Sequence, residues 1–422
     1  MTTTRPDTQS TPTRQGTPTR LGTPTRPGTP TRLGMLTPSS NTCLEPVTYR
    51  LLTPAAGERP VATAHFARVP VTRIALDGAS DAQFDPAPML AAARQLADAK
   101  VEVIAWNGTS GSWLGIGHDR ALCAAITDAT GIPATTSTLA LLDACAAYGV
   151  TRLGLALPYT RDVAARIVAT YAEEGITGTL DGEPFGISDN EAFARIPEDE
   201  VAAQIRAACR GDVHAAAVVC TNVYGAGTAA GLERELNVPV FDSVTATLWK
   251  ALDLAGVAPA LPGHGELLRS GSLRARIQEA LTELLAATGA DRTTFRLDLP
   301  AHDLHVDLTA GEALREGVRS IRRDAGLDQR RLNTVEWLER NRVPLVQPHF
   351  DAIPHPPQAL IDVYGVHAQL LGPVERGGAM AGWISVHSLE ERAWTEHDRA
   401  ALADATARMH TALDAVTPPA AA

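Results

Sequence analysis

Residues 101–113 read VEVIAWNGTSGSW, and residues 213–222 read VHAAAVVCTN. Each is an apolar run that stops abruptly in small polar residues, as expected of a buried strand opening into a loop. Helical patterns follow the first of these at DRALCAAITDAT (119–130) and TLALLDACAAYG (138–149). Working outward, MLTP (35–38), TRLGLALP (151–158) and VPVFDS (238–243) are further strand candidates, with helices expected over 161–174 and through Trp249. Strands alternating with helices at this spacing predict an α/β fold built on parallel sheets covered on both faces. In such folds reactive groups gather at the carboxyl ends of the strands.

The remainder of the 422-residue chain divides around this block. Residues 1–33 carry the hexads TPTRQG, TPTRLG, TPTRPG and TPTRLG (11–34), too rich in proline and glycine to build a core, so a disordered basic arm is expected whose tail runs into the first strand. The α/β block is placed at 34–262. LPGHGELLRSGS suggests a linker at 263–272. Beyond it, a helix at 273–287, an alternating strand at 292–299, a strand at 379–388 and a helix at 395–414 capped by Thr395 predict an α+β domain with an antiparallel sheet over 273–415, before a flexible tail at 416–422.

Lysine and arginine total 37 against 48 aspartate and glutamate, a net charge of −11 that argues against a nucleic-acid binder. No apolar stretch is long enough for a membrane helix and no hydrophobic leader is visible, so no membrane association and a cytoplasmic location are expected. Five scattered cysteines resemble no disulfide framework, and no metal-ligand spacing or Gly-rich nucleotide signature appears.

Chemistry concentrates at the strand ends: PSSNT (38–42), NGTSGS (107–112), PYT (158–160) and CTN (220–222). Small hydroxyl residues beside glycine let backbone N–H groups approach a carboxylate, which points to a small acid. Cys220 is the foremost catalytic candidate. It stands where a strand opens into a loop, a place for an exposed thiol with its pKa lowered by neighbouring N–H groups. Cys123, Cys145 and Cys209 read as helix packing, whereas Cys43 follows a polar loop and is an accessory candidate. Asp119 reads as a helix cap beside His118, and Trp106, Trp113, Leu114 and Ile116 are candidates for an apolar wall.

The order PSSNTCLE (38–45), AWNGTSGSW (105–113), ALPYTRDV (156–163), GISDN (186–190) and VVCTN (218–222) resembles the maleate cis-trans isomerase and arylmalonate decarboxylase family, within the aspartate/glutamate/hydantoin racemase superfamily. The resemblance implies a catalytic domain of two pseudo-symmetric racemase-like lobes, one at 34–149 plus 240–262 and the other at 150–239, around a small dicarboxylic acid, and chemistry without cofactor or metal. It also implies a substrate-binding set of Asn41, Gly108, Thr109, Ser110, Tyr159, Asn190, Thr221 and Asn222 with Cys220 as catalytic residue. The isomerase's first-lobe cysteine falls at Gly108, as in the decarboxylase, whereas Thr221 and Asn222 follow the isomerase pattern. Adding a thiolate to an alkene needs that missing first-lobe thiol. Protonating an enediolate on one face needs a single donor. Decarboxylation of a malonate-type acid is therefore the expected reaction, with isomerisation or racemisation of a small diacid as the alternative. A non-catalytic carboxylate sensor is the alternative of a different class.

SLRARIQEALTELLAATGADRTTFRLDL (272–299) and GWISVHSLEERAWTEHDRAALADATARM (382–409) resemble the opening helix and closing strand-turn-helix of a GAF domain. That likeness implies a regulatory or dimerising module with a small-molecule ligand, and a homo-oligomeric protein.

Overall fold

The structure, a computed structural model, describes residues 29–54, 59–257, 261–322, 326 and 328–416. Most of the expected arm and nearly all of the expected tail lie outside them. Two four-stranded parallel sheets and one five-stranded antiparallel sheet are present. The first contains β1 (Thr31–Pro38), β2 (Ala62–Val69), β3 (Val103–Trp106) and β4 (Ala134–Thr136), in the order β2-β1-β3-β4. The second contains β5 (Arg152–Ala156), β6 (Thr177–Thr179), β7 (Ala215–Val218) and β8 (Val240–Asp242), in the order β6-β5-β7-β8.

Relabelled from one, the two orders are the same, so the lobes are repeats of one winding. β5 is the counterpart of β1, and β7 is the counterpart of β3. The strands are almost wholly buried, as parallel strands under helices must be. Their flanking helices are defined by local chemistry. The Thr136 hydroxyl accepts from Leu139 N at 3.1 Å to start the helix Ser137–Tyr148, which ends at Gly149 in the left-handed region.

Three boundaries differ from the sequence reading. β1 begins at Thr31, inside the last hexad, because Thr31–Gly34 pair with Ala62–His65. β8 pairs with β7 and therefore belongs to the second lobe. Only the helix after it, Ser243–Leu254, packs back on the first lobe. The third difference is the expected linker, most of which is helix: a single 23-residue element, Glu266–Thr288, runs through it. Leu267 and Leu268 belong to the core of the two lobes, while Leu273 and Ile277 belong to the C-terminal core. Ser270, Gly271 and Ser272 look like breakers, yet they let the helix lie close to its neighbours. Ser270 Oγ is 3.2 Å from Tyr148 OH, and Trp249 Nε1 donates to Ser272 Oγ at 3.1 Å. Tertiary packing here outweighs weak local propensity.

The third sheet comprises β9 (Arg292–Leu297), β10 (Thr309–Leu314), β11 (Leu345–Gln347), β12 (Ala368–Arg376) and β13 (Ala379–Ser388), ordered β10-β9-β13-β12-β11. Phe295, Leu297, Leu370, Ile384 and Val386 share a core with the helices Glu266–Thr288 and Glu396–Val416. The latter opens on a reciprocal cap. Asp398 N donates to Thr395 Oγ1 at 3.2 Å, and Thr395 N donates to Asp398 Oδ2 at 2.8 Å. Among the described residues, no helix is long and apolar enough to cross a membrane.

Candidate active site between the lobes

The carboxyl-end loops of the two sheets meet and bond to one another. Asn41, after β1, donates through Nδ2 to Thr221 O at 3.1 Å and to Thr221 Oγ1 at 3.3 Å. Thr221 Oγ1 in turn donates to Asn107 O at 2.9 Å. Asn222 Oδ1 accepts from Thr42 N at 3.0 Å and Cys43 N at 3.1 Å, while its amide donates to Asn190 O. Asn190 closes the circuit by donating to Ser40 Oγ at 2.8 Å. Thr109 Oγ1 and Tyr159 OH lie 2.9 Å apart, again across the lobes. The expected residues Asn41, Thr109, Tyr159, Asn190, Thr221 and Asn222 are thus brought together. All are buried.

Strand positions explain the single thiol. Gly108 stands two residues beyond the end of β3, and Cys220 stands two residues beyond the end of β7. They are equivalent positions of the repeat, one with a thiol and one without. A Cβ at Gly108 would lie 2.3 Å from Trp106 Cε2 and 2.5 Å from Cζ2 and Nε1. The indole fills the place of a first-lobe side chain. Trp106 is fully buried and donates to Ser110 Oγ at 3.1 Å, leaving the Ser110 proton available for another acceptor.

Cys220 departs from the expectation of an exposed, acidic thiol. It is 2% exposed, and burial pushes its pKa up to about 12. The Asn222 N–H, 3.4 Å from the sulfur, and the Tyr159 hydroxyl act in the opposite direction but do not offset the lost hydration. At neutral pH this is a thiol, not a thiolate. Tyr159 has one hydroxyl proton, so the order Thr109 to Tyr159 to Cys220 satisfies both contacts and forms one donor chain ending at sulfur.

Cys43 is buried at the start of the helix Leu44–Leu52, its backbone N–H donating to Asn41 Oδ1 at 3.0 Å and Asn222 Oδ1 at 3.1 Å. Burial first, then the nearby Asp242 carboxylate, hold its thiol even further toward the protonated form. Among the wall candidates, Trp113 packs edge-on to Tyr159 with ring centroids 5.4 Å apart, and Phe84 lies 5.8 Å beyond it. Phe193, absent from the sequence reading, covers Tyr159 at 5.3 Å. Trp106 is floor instead of wall, Leu114 is half-buried and Ile116 is buried.

Asp119 is not a cap. It sits in the first turn of the helix Ile116–Thr130, where its Oδ2 accepts from Thr136 Oγ1 at 2.5 Å against the backbone of Gly111. The sequence reading also leaves out Asp242. This residue ends β8 and caps the helix Ser243–Leu254, with Oδ1 accepting from Val244 N at 2.8 Å and Thr245 N at 3.2 Å. Its Oδ2 is buried without a hydrogen-bond partner among the described residues, and burial raises its pKa to about 7. An acid closing a strand before a helix was the available signal.

Repeated parallel lobes facing each other through polar strand-end loops, with one strand-end thiol, define a racemase-like α/β fold, followed by a C-terminal module built on an antiparallel sheet. The family model for arylmalonate decarboxylase matches residues 51–268, and that for the GAF domain matches residues 272–413. Arylmalonate decarboxylase of Bordetella bronchiseptica is 35% identical over 182 residues, 42% of this chain and 74% of that protein. A maleate isomerase of Pseudomonas putida is 27% identical over 248 residues, 56% of this chain and 96% of that protein. The solved maleate isomerase Iso from Pseudomonas putida S16 superposes with a TM-score of 0.52 at 26% identity, covering 57% of this chain and 99% of that one. The chain belongs to the arylmalonate decarboxylase family, which it joins to a GAF domain.

Proposed function

We propose that the chain decarboxylates a small malonate-type diacid through an enediolate, with Cys220 as the proton donor. The observation that carries this reading is the asymmetry of the lobes. At the position equivalent to Cys220 stands Gly108, its side-chain space filled by the Trp106 indole. One carboxylate of the substrate is held by the hydroxyls of Thr109, Ser110 and Tyr159, with Thr109 and Tyr159 turning their protons from the resting chain to the bound oxygens and the backbone N–H of Thr221 completing the cradle. The other carboxylate faces the aromatic cluster of Trp113 and Phe193, where poor hydration favours its loss as carbon dioxide. The electron pair of the breaking carbon–carbon bond passes into the enediolate, whose charge the hydroxyls stabilise. The Cys220 S–H then protonates the carbon on one face, and the thiolate left behind recovers a proton from solvent. A thiol with a pKa near 12 suits this step, because it is fully protonated before the reaction.

Asn41, Asn190 and Asn222 frame the site. Because all these groups are buried, the lobes or their loops open to admit substrate.

Maleate isomerisation is the second reading. It is favoured by the likeness to the maleate isomerases and by Cys43, a second buried free thiol, on the first lobe. Incubation with phenylmalonate, methylmalonate and maleate separates the two. Carbon dioxide released from a malonate, lost in Cys220→Ala with the fold retained, is the expected result. Conversion of maleate to fumarate without gas release would overturn it, and ligand-dependent stabilisation without turnover would favour a sensor.

A further inference from the structure

The two lobes differ at a second equivalent position. Each ends its outer strand on the residue that caps the next helix: Thr136 closes β4 opposite Trp106, and Asp242 closes β8 opposite Val218. The Thr136 hydroxyl is committed, accepting from Leu139 N and donating to Asp119 Oδ2, and Asp119 in turn faces His118 at 3.6 Å. Asp242 is not committed in this way. Its Oδ1 takes the two helix N–H groups, while Oδ2 stays buried with no hydrogen-bond partner among the described residues. The lobe with the thiol thus caps this helix with an acid that has an oxygen to spare, and the lobe with Gly108 caps it with a hydroxyl.

The spare oxygen lies beneath the turn that Cys220 opens. Val218 precedes Cys220 by two residues, and Ser243, next to Asp242, donates from Oγ to Val218 O at 2.6 Å, which pins β8 to the strand end. A Cβ at Gly225 would stand 2.7 Å from Asp242 Oδ2 and 3.1 and 3.3 Å from the Val218 methyl carbons. Gly225 has an ordinary φ of −93°, so glycine is needed there for room, and it lets the loop close over the acid. The ionised carboxyl raises the pKa of both Cys220 and Cys43, so one acid is within electrostatic reach of both thiols. On the opposite side the exposed guanidinium of Arg50, on the helix Leu44–Leu52, favours ionisation of Asp242. The half-buried Tyr224 and the exposed Glu198 are the other titratable groups at that end.

We propose that Asp242 returns a proton to Cys220 after each turnover. The proposal rests on the decarboxylase reading, in which Cys220 gives its own proton to the enediolate carbon. The Asp242 O–H bond breaks and its electron pair stays on the carboxylate, while the proton passes through one water molecule to the thiolate and re-forms S–H. Asp242 then takes a proton from solvent on the Arg50 side. The transfer runs downhill, because burial leaves the carboxyl at about 7 and the thiol at about 12. A thiol that is 2% exposed has little access to bulk water of its own. Asp242 touches neither substrate nor the reacting carbon. It is a positioning residue that acts through Cys220.

The test is quenched-flow decarboxylation of phenylmalonate, or of methylmalonate if that is the better substrate, by the full chain and by Asp242→Asn. Asparagine keeps an acceptor for the helix N–H groups but has no acidic proton to give. The wild type should show a linear time course. The variant should release about one equivalent of carbon dioxide per site at the wild-type rate and then slow about 10²-fold, a burst that a purely structural defect does not produce. Wild-type kcat should also fall as pH rises past about 7, where Asp242 enters the cycle without its proton, whereas the slow rate of the variant should not. Should Asp242→Asn misfold, Asp242→Thr, which borrows the cap of the first lobe, serves instead. Alkylation of Cys220 by iodoacetamide, followed by mass spectrometry, needs no turnover. Without the Asp242 charge the thiolate forms more readily, so labelling at about pH 9 should be at least about twofold faster in the variant. A linear time course with unchanged kcat in the variant would overturn the proposal, and so would unchanged labelling. A wild type that decarboxylates neither malonate would overturn the reading of the lobes and the proposal with it; labelling that still responds to Asp242→Asn would then mark that reading alone as at fault.

Discussion

Replacing Gly108 by alanine probes the packing on which the one-sided site depends. The new Cβ would stand 2.3–2.5 Å from three atoms of a fully buried indole. Ordinary carbon contacts lie at about 3.5–4.0 Å, so the ring must move by more than an ångström or the 107–110 turn must shift. Overpacking of this kind costs about 1–3 kcal/mol. Displacing the ring also strains the 3.1 Å bond from Trp106 Nε1 to Ser110 Oγ, worth about another 1 kcal/mol. Gly108 does not have a positive φ, so the backbone imposes no penalty of its own. Alanine also stiffens the unfolded chain, returning about 0.4–1 kcal/mol. The net expectation is a loss of about 1–3 kcal/mol.

Urea denaturation of Gly108→Ala, Trp106→Leu and the double variant measures this directly as a thermodynamic cycle. The alanine should cost much less when the indole is absent. If the substitution changes stability by less than about 0.5 kcal/mol, or costs the same in both backgrounds, then Trp106 does not fill the position equivalent to Cys220. The first lobe would then have room for a side chain at residue 108.

Tyr159→Phe removes one hydroxyl from the carboxylate cradle and cuts the chain from Thr109 to Cys220. Turnover of a malonate should fall about 10²–10³-fold, mainly in kcat, with the thermal midpoint little changed. An unaltered kcat would remove Tyr159 from the mechanism. Asp242 makes a pH prediction. Its folded pKa of about 7 lies above the ordinary value of 3.8, so the native state holds the extra proton between those limits. Stability should therefore fall as pH rises from about 4 to 7, with a slope of up to about 1.4 kcal/mol per pH unit, and then level off. Asp242→Asn keeps the helix cap and should lose that part of the slope, measured by denaturant unfolding across the range. Glu233, shifted in the same direction by burial, leaves a residual slope. An unchanged profile in Asp242→Asn would mean that this carboxyl stays ionised throughout.

The strand-loop junctions were legible in the sequence because each couples a buried apolar run to a cluster of small polar residues. VVCTN and WNGTS announce both the sheet and the site. The strand over 379–388 and the Thr395 cap were equally legible, since each is written in neighbouring residues. The helix through the supposed linker was not, because its breakers are tolerated only by contact with Trp249 and Tyr148.

The state of the Cys220 thiol was likewise out of reach. The sequence places it beside N–H donors that lower a pKa, but how much water the closed lobes exclude depends on residues far away in the chain, and exclusion outweighs donation. Residue types and their order along the chain thus determined the family, the parallel sheets and which loops carry polar groups. The three-dimensional packing decided that Trp106 occupies the space beside Gly108, that Phe193 covers Tyr159, and that Cys220 is protonated. Those outcomes depend on volume and hydration, which are properties of the assembled fold and not of any local stretch.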